Sequence, residues 1–427
     1  MSQPASNDSP APNRNAYAVL RNRDFSCYLL GRFIAAFGQQ MLTLALGWEI
    51  YERTHSALAL GLVGLTQMIP MILFTLPAGH IADNRNRKHV IVAMNASLGI
   101  ISAALAVISA MAAPVVWIYL CLVAVGTIRT FLWAASASFL PQLVDRKQFA
   151  QAVNWSSSTF QLSCILGPLA AGGLIELTHQ PAVVYAANGF AMLTCGALVA
   201  LVKQRQFVQA REEMTLQSLL SGFKFVFASR IIVGIITLDM FAVLLGGATA
   251  LLPVYAKDIL HVGPTGLGFL QTAMPVGAII CAFLLAHRPP MEKAGHALLW
   301  AVMSFGLATI GFGVSTWFWL SFAMLVLCGA TDNVSVVVRH TLVQLLTPDE
   351  KRGRVSAVNN LFIGTSNELG GAESGTVAWW FGPAMGNAIA TGAMISVVSG
   401  GVGTILVVLV VAAVWPEIRK YGKLDAH

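Results

Sequence analysis

The chain reads as an all-α polytopic membrane protein, with twelve transmembrane helices arranged in two six-helix halves. Three observations predict this. About a dozen apolar stretches of roughly 18–28 residues are each long enough to cross ~30 Å of hydrocarbon at 1.5 Å per residue. Basic residues gather in alternate loops. A short sequence echo recurs at equivalent places in the two halves. Composition agrees: of 427 residues 56% are hydrophobic and only 11% charged, and the mean hydropathy is +0.70. Such a chain is built for lipid rather than water. Its net charge of +7 carries meaning through where the charges lie, and no nucleic-acid partner is expected.

Residues 1–24 are read as a cytoplasmic tail, rich in Ser, Pro, Asn and Ala at its start and lacking the apolar run of a signal peptide. Hydropathy then places spans near 25–51, 57–78, 89–111, 115–140, 150–176 and 181–202, which form the first bundle. A connection over 203–230 follows. Leu216, Leu219, Leu220, Phe223 and Phe227 recur there at helical spacing with Lys224 opposite, which predicts a short amphipathic helix along the cytoplasmic interface or against the protein's own loops. The second bundle, 231–414, has spans near 231–256, 264–286, 295–313, 316–346, 354–381 and 385–414, and 415–427 form a second cytoplasmic tail.

One set of loops holds Arg85, Arg87, Lys88, Lys147, Lys203, Lys293 and Lys351, whereas the opposite set holds little beyond Arg53 and Lys257. The positive-inside rule therefore puts both termini in the cytoplasm, in keeping with an even number of spans. The echo supports a parallel duplication. Leu140-Pro-Gln-Leu-Val-Asp-Arg-Lys147 follows the fourth span and Val343-Gln-Leu-Leu-Thr-Pro-Asp-Glu-Lys351 the tenth, with Ala-Val-Asn after each, at 152–154 and 357–359. Six cysteines sit singly in apolar stretches without metal-ligand spacing, so no metal or other cofactor is expected.

The loop between the second and third spans carries Gly79, Asp83, Arg87 and Lys88 in the pattern G-x-x-x-D-x-x-x-R-K. With the twelve-span pattern, this resembles the major facilitator superfamily over essentially the whole chain. Asn84 and Asn86 depart from residues common there. The resemblance implies a loop that latches the cytoplasmic side in the outward-facing state, with Asp83 accepting from a helix N-terminus of the partner half. Gly167-Pro168-Leu-Ala-Ala-Gly172-Gly173 in the fifth span resembles the family's antiporter motif, with Ala171 or a one-residue offset as the departure. Pro168 is expected to bend that helix and the glycines to allow close packing. Arg129, mid-way along the fourth span, matches an arginine of efflux members, although Trp133 stands near an expected glycine. Segments at 218–225, 266–270 and 347–355 are similar to the enterobactin-exporter and macrolide or drug efflux branch.

Charges inside apolar spans are expensive and point to function. Arg32, Arg129, Asp239 and Asp332 fall mid-span in the first, fourth, seventh and tenth helices, which surround the central cavity in the resembled family. Matching depth predicts two pairs across the halves, Arg129 with Asp332 and Arg32 with Asp239. Arg339, seven residues after Asp332, shares its helix face and is expected nearer the cytoplasm, as a gate or a snorkelling side chain; His340 beside it receives no role. Asp239 and Glu368 are the proton-site candidates, ahead of an Arg-paired Asp332, because desolvation of a carboxyl in an apolar span favours its protonated form whereas an adjacent Arg opposes it. Gln39, Gln40, Gln67 and Gln161 offer neutral hydrogen bonds to cargo.

A nucleotide-driven pump or a membrane enzyme would need a phosphate-binding loop, a zinc helix or a nucleophile elbow, and none of these patterns occurs. The expectation is a monomeric secondary transporter of the bacterial inner membrane. Alternating access and a proton gradient would drive efflux of a siderophore or an amphipathic drug-like molecule, with drug resistance as a consequence. The sequence is also compatible with a lysophospholipid or other solute transporter, working as symporter or flippase, and with a non-transporting sensor on the same scaffold.

Overall fold

The computed structural model describes residues 17–145, 147–203, 223–287, 293–348, 351–420 and 422, without the side chains of Asp83, Arg352, Gly353, Arg354, Ala357 and Lys420. Twelve long helical elements follow one another: α1 Arg23–Thr54, α2 Ala57–Asn84, α3 Arg87–Ala110, α4 Val115–Leu143, α5 Phe149–Thr178, α6 Pro181–Ala200, α7 from Arg230 to Ile259, α8 Gly263–Ala286, α9 Ala294–Gly313, α10 Phe318–Leu346, α11 Arg352–Phe381 and α12 Ile389–Val414. Eleven are long and apolar enough to span a membrane. The other, α11, is 30 residues long but is less apolar because it carries Asn359, Asn360, Asn367, Glu368 and Glu373. Phe190, Leu177 and Trp300 are 74%, 82% and 67% exposed on helix surfaces. In water such side chains would drive aggregation; facing acyl chains they are matched to their solvent.

Local chemistry sets the helix ends. Asn22 accepts from the amides of Asp24 and Phe25 to start α1, Ser56 accepts from Ala59 to start α2, and Ser229 accepts from Ile232 to start α7. Helix α12 begins at Ile389 rather than near 385, because Pro383–Met385 forms a 3-10 turn that closes on Gly386 at φ 76°. Helix α7 also departs from expectation: it is interrupted after Leu245. Most of the expected amphipathic helix lies outside the described residues. Its last part, 223–228, is helical, with Phe223, Phe225 and Val226 packed on Ile232, Val343, Val355 and Val358.

Helices α1–α6 pack on one another and α7–α12 likewise, while two seams join the halves, α2 on α11 and α5 on α8. The seams rely on absent side chains. A Cβ on Gly375 would stand 2.6 Å from the Ala57 carbonyl, and one on Gly172 would stand 2.5 Å from that of Pro264. At the end of the bundle remote from Arg85, Lys88, Lys147 and Lys351, here called the far end, one apolar cluster runs through both halves, from Leu44, Ile50 and Tyr51 to Leu251, Val254 and Tyr255. At the basic end the clusters separate. One is built from the first half alone, around Phe25, Phe139 and Val199, and two from the second half alone, around Leu298 and Val355. Among the described residues the bundle is closed at the far end and parted at the basic end.

Candidate functional site

The signature loop occupies the basic end. Gly79 and Asp83 lie in the last turns of α2, and the Asp83 side chain is outside the described residues. Arg87 is buried and its Nε donates to the Ala82 carbonyl at 3.0 Å. Lys88 Nζ donates to the Val202 carbonyl at 2.7 Å, which ties α3 to the end of α6. These bonds stay inside the first half, because the halves are apart at this end.

The antiporter-like segment divides its contacts between two neighbours. Gly167 lies against α1, where an added Cβ would meet Gln40 Cβ at 2.6 Å and the Phe37 carbonyl at 2.9 Å. Pro168 and Gly172 face α8 across the halves: the Pro168 carbonyl is 2.7 Å from a Cβ built on Gly268, and Gly172 abuts Pro264 and Thr265. A Cβ on Gly173 would meet nothing within 4 Å among the described residues.

The mid-span charges pair differently from the expected scheme. Asp239 of α7 forms an ion pair with Arg339 of α10, both only 8% exposed. This pairing lies within the second half, so the expected Arg32–Asp239 pair across the halves is corrected. The reason is spacing: Arg339 reaches Asp239 from an adjacent helix, whereas α1 lies in the other bundle. Arg32 Nη1 instead contacts the hydroxyl of Tyr28, one turn earlier on α1, at 3.4 Å.

Arg129 is not paired with Asp332 either. Its Nη1 donates to Gln67 Oε1 of α2 at 3.2 Å, and the carboxylate within its electrostatic reach is Glu368 of α11. Glu368 stands on the α2 seam, where a Cβ on Gly64 would lie 2.5 Å from Glu368 Oε2 and 3.1 Å from its carbonyl. Gly126 of α4 packs as closely on Gln67, its Cβ position 2.8 Å from the Gln67 carbonyl. Two glycines thus bring α4, α2 and α11 together and assemble Arg129, Gln67 and Glu368 across the halves. Asp332 sits two turns before Arg339 on α10 and is half-buried.

The far end holds polar groups that sequence reasoning passed over. Tyr51 donates its hydroxyl to Asp258, and Lys257 Nζ lies 3.0 Å from Glu52 Oε1 and 5.9 Å from the Trp48 ring centroid. Both bonds join the halves. Beside them Glu49, 2% exposed, pairs with Arg53 at 2.6 Å. Arg53 in turn donates to the Ala113 and Ser109 carbonyls at 2.8 and 2.9 Å. A cavity of about 550 Å³ opens here between Trp48, Glu49, Arg53, Glu176, His179 and Pro264. One signal was available in the sequence, since Arg53 and Lys257 are the exceptions to the charge asymmetry of the loops. Among the described residues no group of three or more His, Cys, Asp or Glu side chains is placed to hold a metal ion.

The family model described as Major Facilitator Superfamily matches residues 28–371. Among curated proteins, the enterobactin exporter EntS of Escherichia coli O1:K1 / APEC is 27% identical over 400 residues, covering 93% of each chain, and that of Shigella boydii serotype 18 aligns equally well. Among solved structures, a bacterial homolog of the human lysosomal transporter Spinster, inward-facing and unoccupied, superposes with a TM-score of 0.71 at 14% identity, over 93% of this chain and 98% of that one. A POT family transporter in complex with a thioalcohol-conjugated peptide gives 0.73 at 10% identity, over 93% and 96%. At these identities the solved structures speak for the fold alone.

Proposed function

Since the chain belongs to the Major Facilitator Superfamily and is a membrane transporter rather than an enzyme, we propose that it exports an amphipathic small molecule, siderophore-like or drug-like, by proton antiport with Glu368 as the shared site. The assembly of Arg129, Gln67 and Glu368 across the α2–α11 seam carries this reading. The similarity to enterobactin exporters supports the direction and the siderophore-like class. Charge asymmetry of the loops supports an inner-membrane protein with its basic end and both termini in the cytoplasm. On that orientation the described conformation is inward-open, ready to load.

Antiport requires that proton and cargo exclude one another. A proton on Glu368 removes the anion to which a donor-bearing cargo binds, and cargo bound there leaves no place for the proton. Arg129, held by Gln67, keeps opposite charge at the seam while Glu368 is ionised and loses that attraction when it is protonated. The proton changes the energy of the contact between the halves, which is what a rocking mechanism needs. Of the two proton candidates Asp239 is set aside, because protonating it would strand buried Arg339. The signature loop would latch the cytoplasmic side once the halves rock to the outward-facing state.

The test is transport into everted vesicles with an imposed proton gradient, using a panel of catecholate siderophores and amphipathic dyes. Accumulation that collapses with a protonophore and is lost in Glu368→Gln is the expected result. Undiminished uptake without any ion gradient would remove the antiport reading.

A further inference from the structure

The turns at the far end leave part of the first half unroofed. Helix α5 ends on His179 at φ 55° and α6 starts at Pro181, with Gln180 alone between them, while residues 111–114 link α3 to α4. At ~3.5 Å per residue, such connections reach a neighbouring helix and no further. The last turns of α1 therefore face a cavity of about 550 Å³, one wall of which is Pro264 of α8, from the other half. That volume suits an organic molecule.

The charges around the cavity do not balance. Glu49, 2% exposed, gives Oε1 to Arg53 at 2.6 Å, and Glu52 is matched by Lys257 at 3.0 Å. Glu176 has no ion-pair partner among the described residues. Its Oε2 lies 3.3 Å from the position of a Cβ on Gly263, at the start of α8. A second acceptor is left over on the α1 wall: Glu49 Oε2 is buried and accepts no hydrogen bond, and the Tyr185 hydroxyl beside it stands outside bonding geometry. A buried carboxylate oxygen without a donor is costly. Trp48, Ile175 and Pro264 add apolar surface to the same cavity. Two carboxylates on different walls with apolar surface match ammonium groups carried on methylenes, whereas an anion would meet excess negative charge. A metal ion does not fit, since no group of three or more His, Cys, Asp or Glu among the described residues is placed to hold one.

We propose that this cavity binds a primary aliphatic amine at Glu176, and that a linear diamine, reaching Glu49 Oε2 as well, fills it. The site lies apart from Arg129, Gln67 and Glu368 and takes a different class of ligand. Its walls come from both halves: Gly172, one turn before Glu176, abuts Pro264, so the cavity is whole only while α5 and α8 stay in contact at the far end. A ligand that needs both walls stabilises the closed far end and restrains the transport cycle from outside. This rests on the alternating-access reading but on neither the cargo nor the coupling ion. An aminophospholipid headgroup carries the same ammonium chemistry, and Leu177, 82% exposed next to Glu176, brings lipid near the mouth.

The experiment titrates the full chain in phosphatidylcholine nanodiscs with 1,5-diaminopentane by calorimetry. One diamine should bind per chain, about ten-fold or more weakly in Glu176→Gln, a change at an exposed position. Ala110→Trp, which fills the cavity from its α3 wall, should abolish binding. The neutral isostere 1,5-pentanediol should not bind, and Mg²⁺ should not displace the diamine. Phosphatidylethanolamine added to the discs should weaken diamine binding if the headgroup is the resident amine, and leave it unchanged if free amines are. Spin labels on Val116→Cys and Thr316→Cys, exposed at the far-end tips of the two halves, then read the state on a background without Cys27 and Cys121. Where both distances are populated, diamine at ten times its Kd should raise the closed-to-open ratio about ten-fold. Unchanged affinity in both Glu176→Gln and Ala110→Trp would overturn the site. Diol binding as tight as the diamine, or displacement by Mg²⁺, would overturn the amine class. Binding that leaves the two populations unmoved would overturn the dependence on a closed far end. A single distance under every condition would instead refute alternating access, with the calorimetry still deciding the site. Neither readout uses flux, so failure of the antiport reading leaves the result intact.

Discussion

Cutting the Asp239–Arg339 pair gives the sharpest test of how the second half is held. Both side chains are 8% exposed and lie on adjacent helices. Removing one partner leaves a buried charge without its counter-ion, at a cost of about 3–5 kcal/mol, whereas replacing both with apolar groups of similar size is close to neutral. Asp239→Leu and Arg339→Met should therefore each destabilise by about 3–5 kcal/mol, and the double variant should return to within about 1 kcal/mol of wild type. Set against a total of about 5–15 kcal/mol for a folded domain, either single loss is readily measured. The assay is equilibrium unfolding in mixed micelles with increasing SDS, followed by tryptophan fluorescence. Additivity of the single losses to within about 0.5 kcal/mol would refute the pairing, because independent sites add to that precision. The same cycle on Arg129→Ala and Asp332→Ala should be additive, since Arg129 faces Gln67 and Glu368 instead.

The other predictions follow from single contacts. Gly172→Val should abolish transport by driving a side chain into the Pro264 carbonyl at the α5–α8 seam, whereas Gly173→Ala, which meets open space, should leave turnover at the wild-type level in the vesicle assay. Arg53→Gln should lower stability by about 3 kcal/mol or more, because it strands buried Glu49 and surrenders the bonds to Ser109 and Ala113; the SDS titration reads this directly. Neutralising Arg87 and Lys88 together should slow turnover with folding largely retained, checked by flux and by cytoplasmic cysteine labelling. Wild-type values in both readouts would contradict a role for the signature loop in switching.

The helices were legible because apolar length is written directly into the sequence. Even α11, whose asparagines and glutamates dilute its hydropathy, was placed by hydropathy, over 354–381 against the observed Arg352–Phe381. Pairing was less legible. Equal depth in two halves suggested Arg129 with Asp332 and Arg32 with Asp239, but depth says nothing of the angle at which a side chain leaves its helix. Asp239 found Arg339 on a neighbouring helix, and Arg129 found Gln67 because Gly126 lets α4 settle on α2. The break in α7 was hidden as well. Gly246–Gly247 lies inside an apolar run that reads as one span, and only packing against Gly370 makes the interruption necessary. The polar contacts at the far end were half visible, in Arg53 and Lys257, the two basic residues that departed from the loop asymmetry.

Competition between proton and cargo at Glu368 is the core of the account, and proton release on cargo binding measures it most directly. Purified protein in a weakly buffered solution near neutral pH is titrated with whichever siderophore or amphipathic dye of the panel binds, while a pH indicator follows the medium. Wild-type protein should acidify the medium by up to about one proton per cargo bound. The Glu368→Gln variant should bind cargo with no release. Proton uptake on binding, or release that persists unchanged in Glu368→Gln, would contradict it.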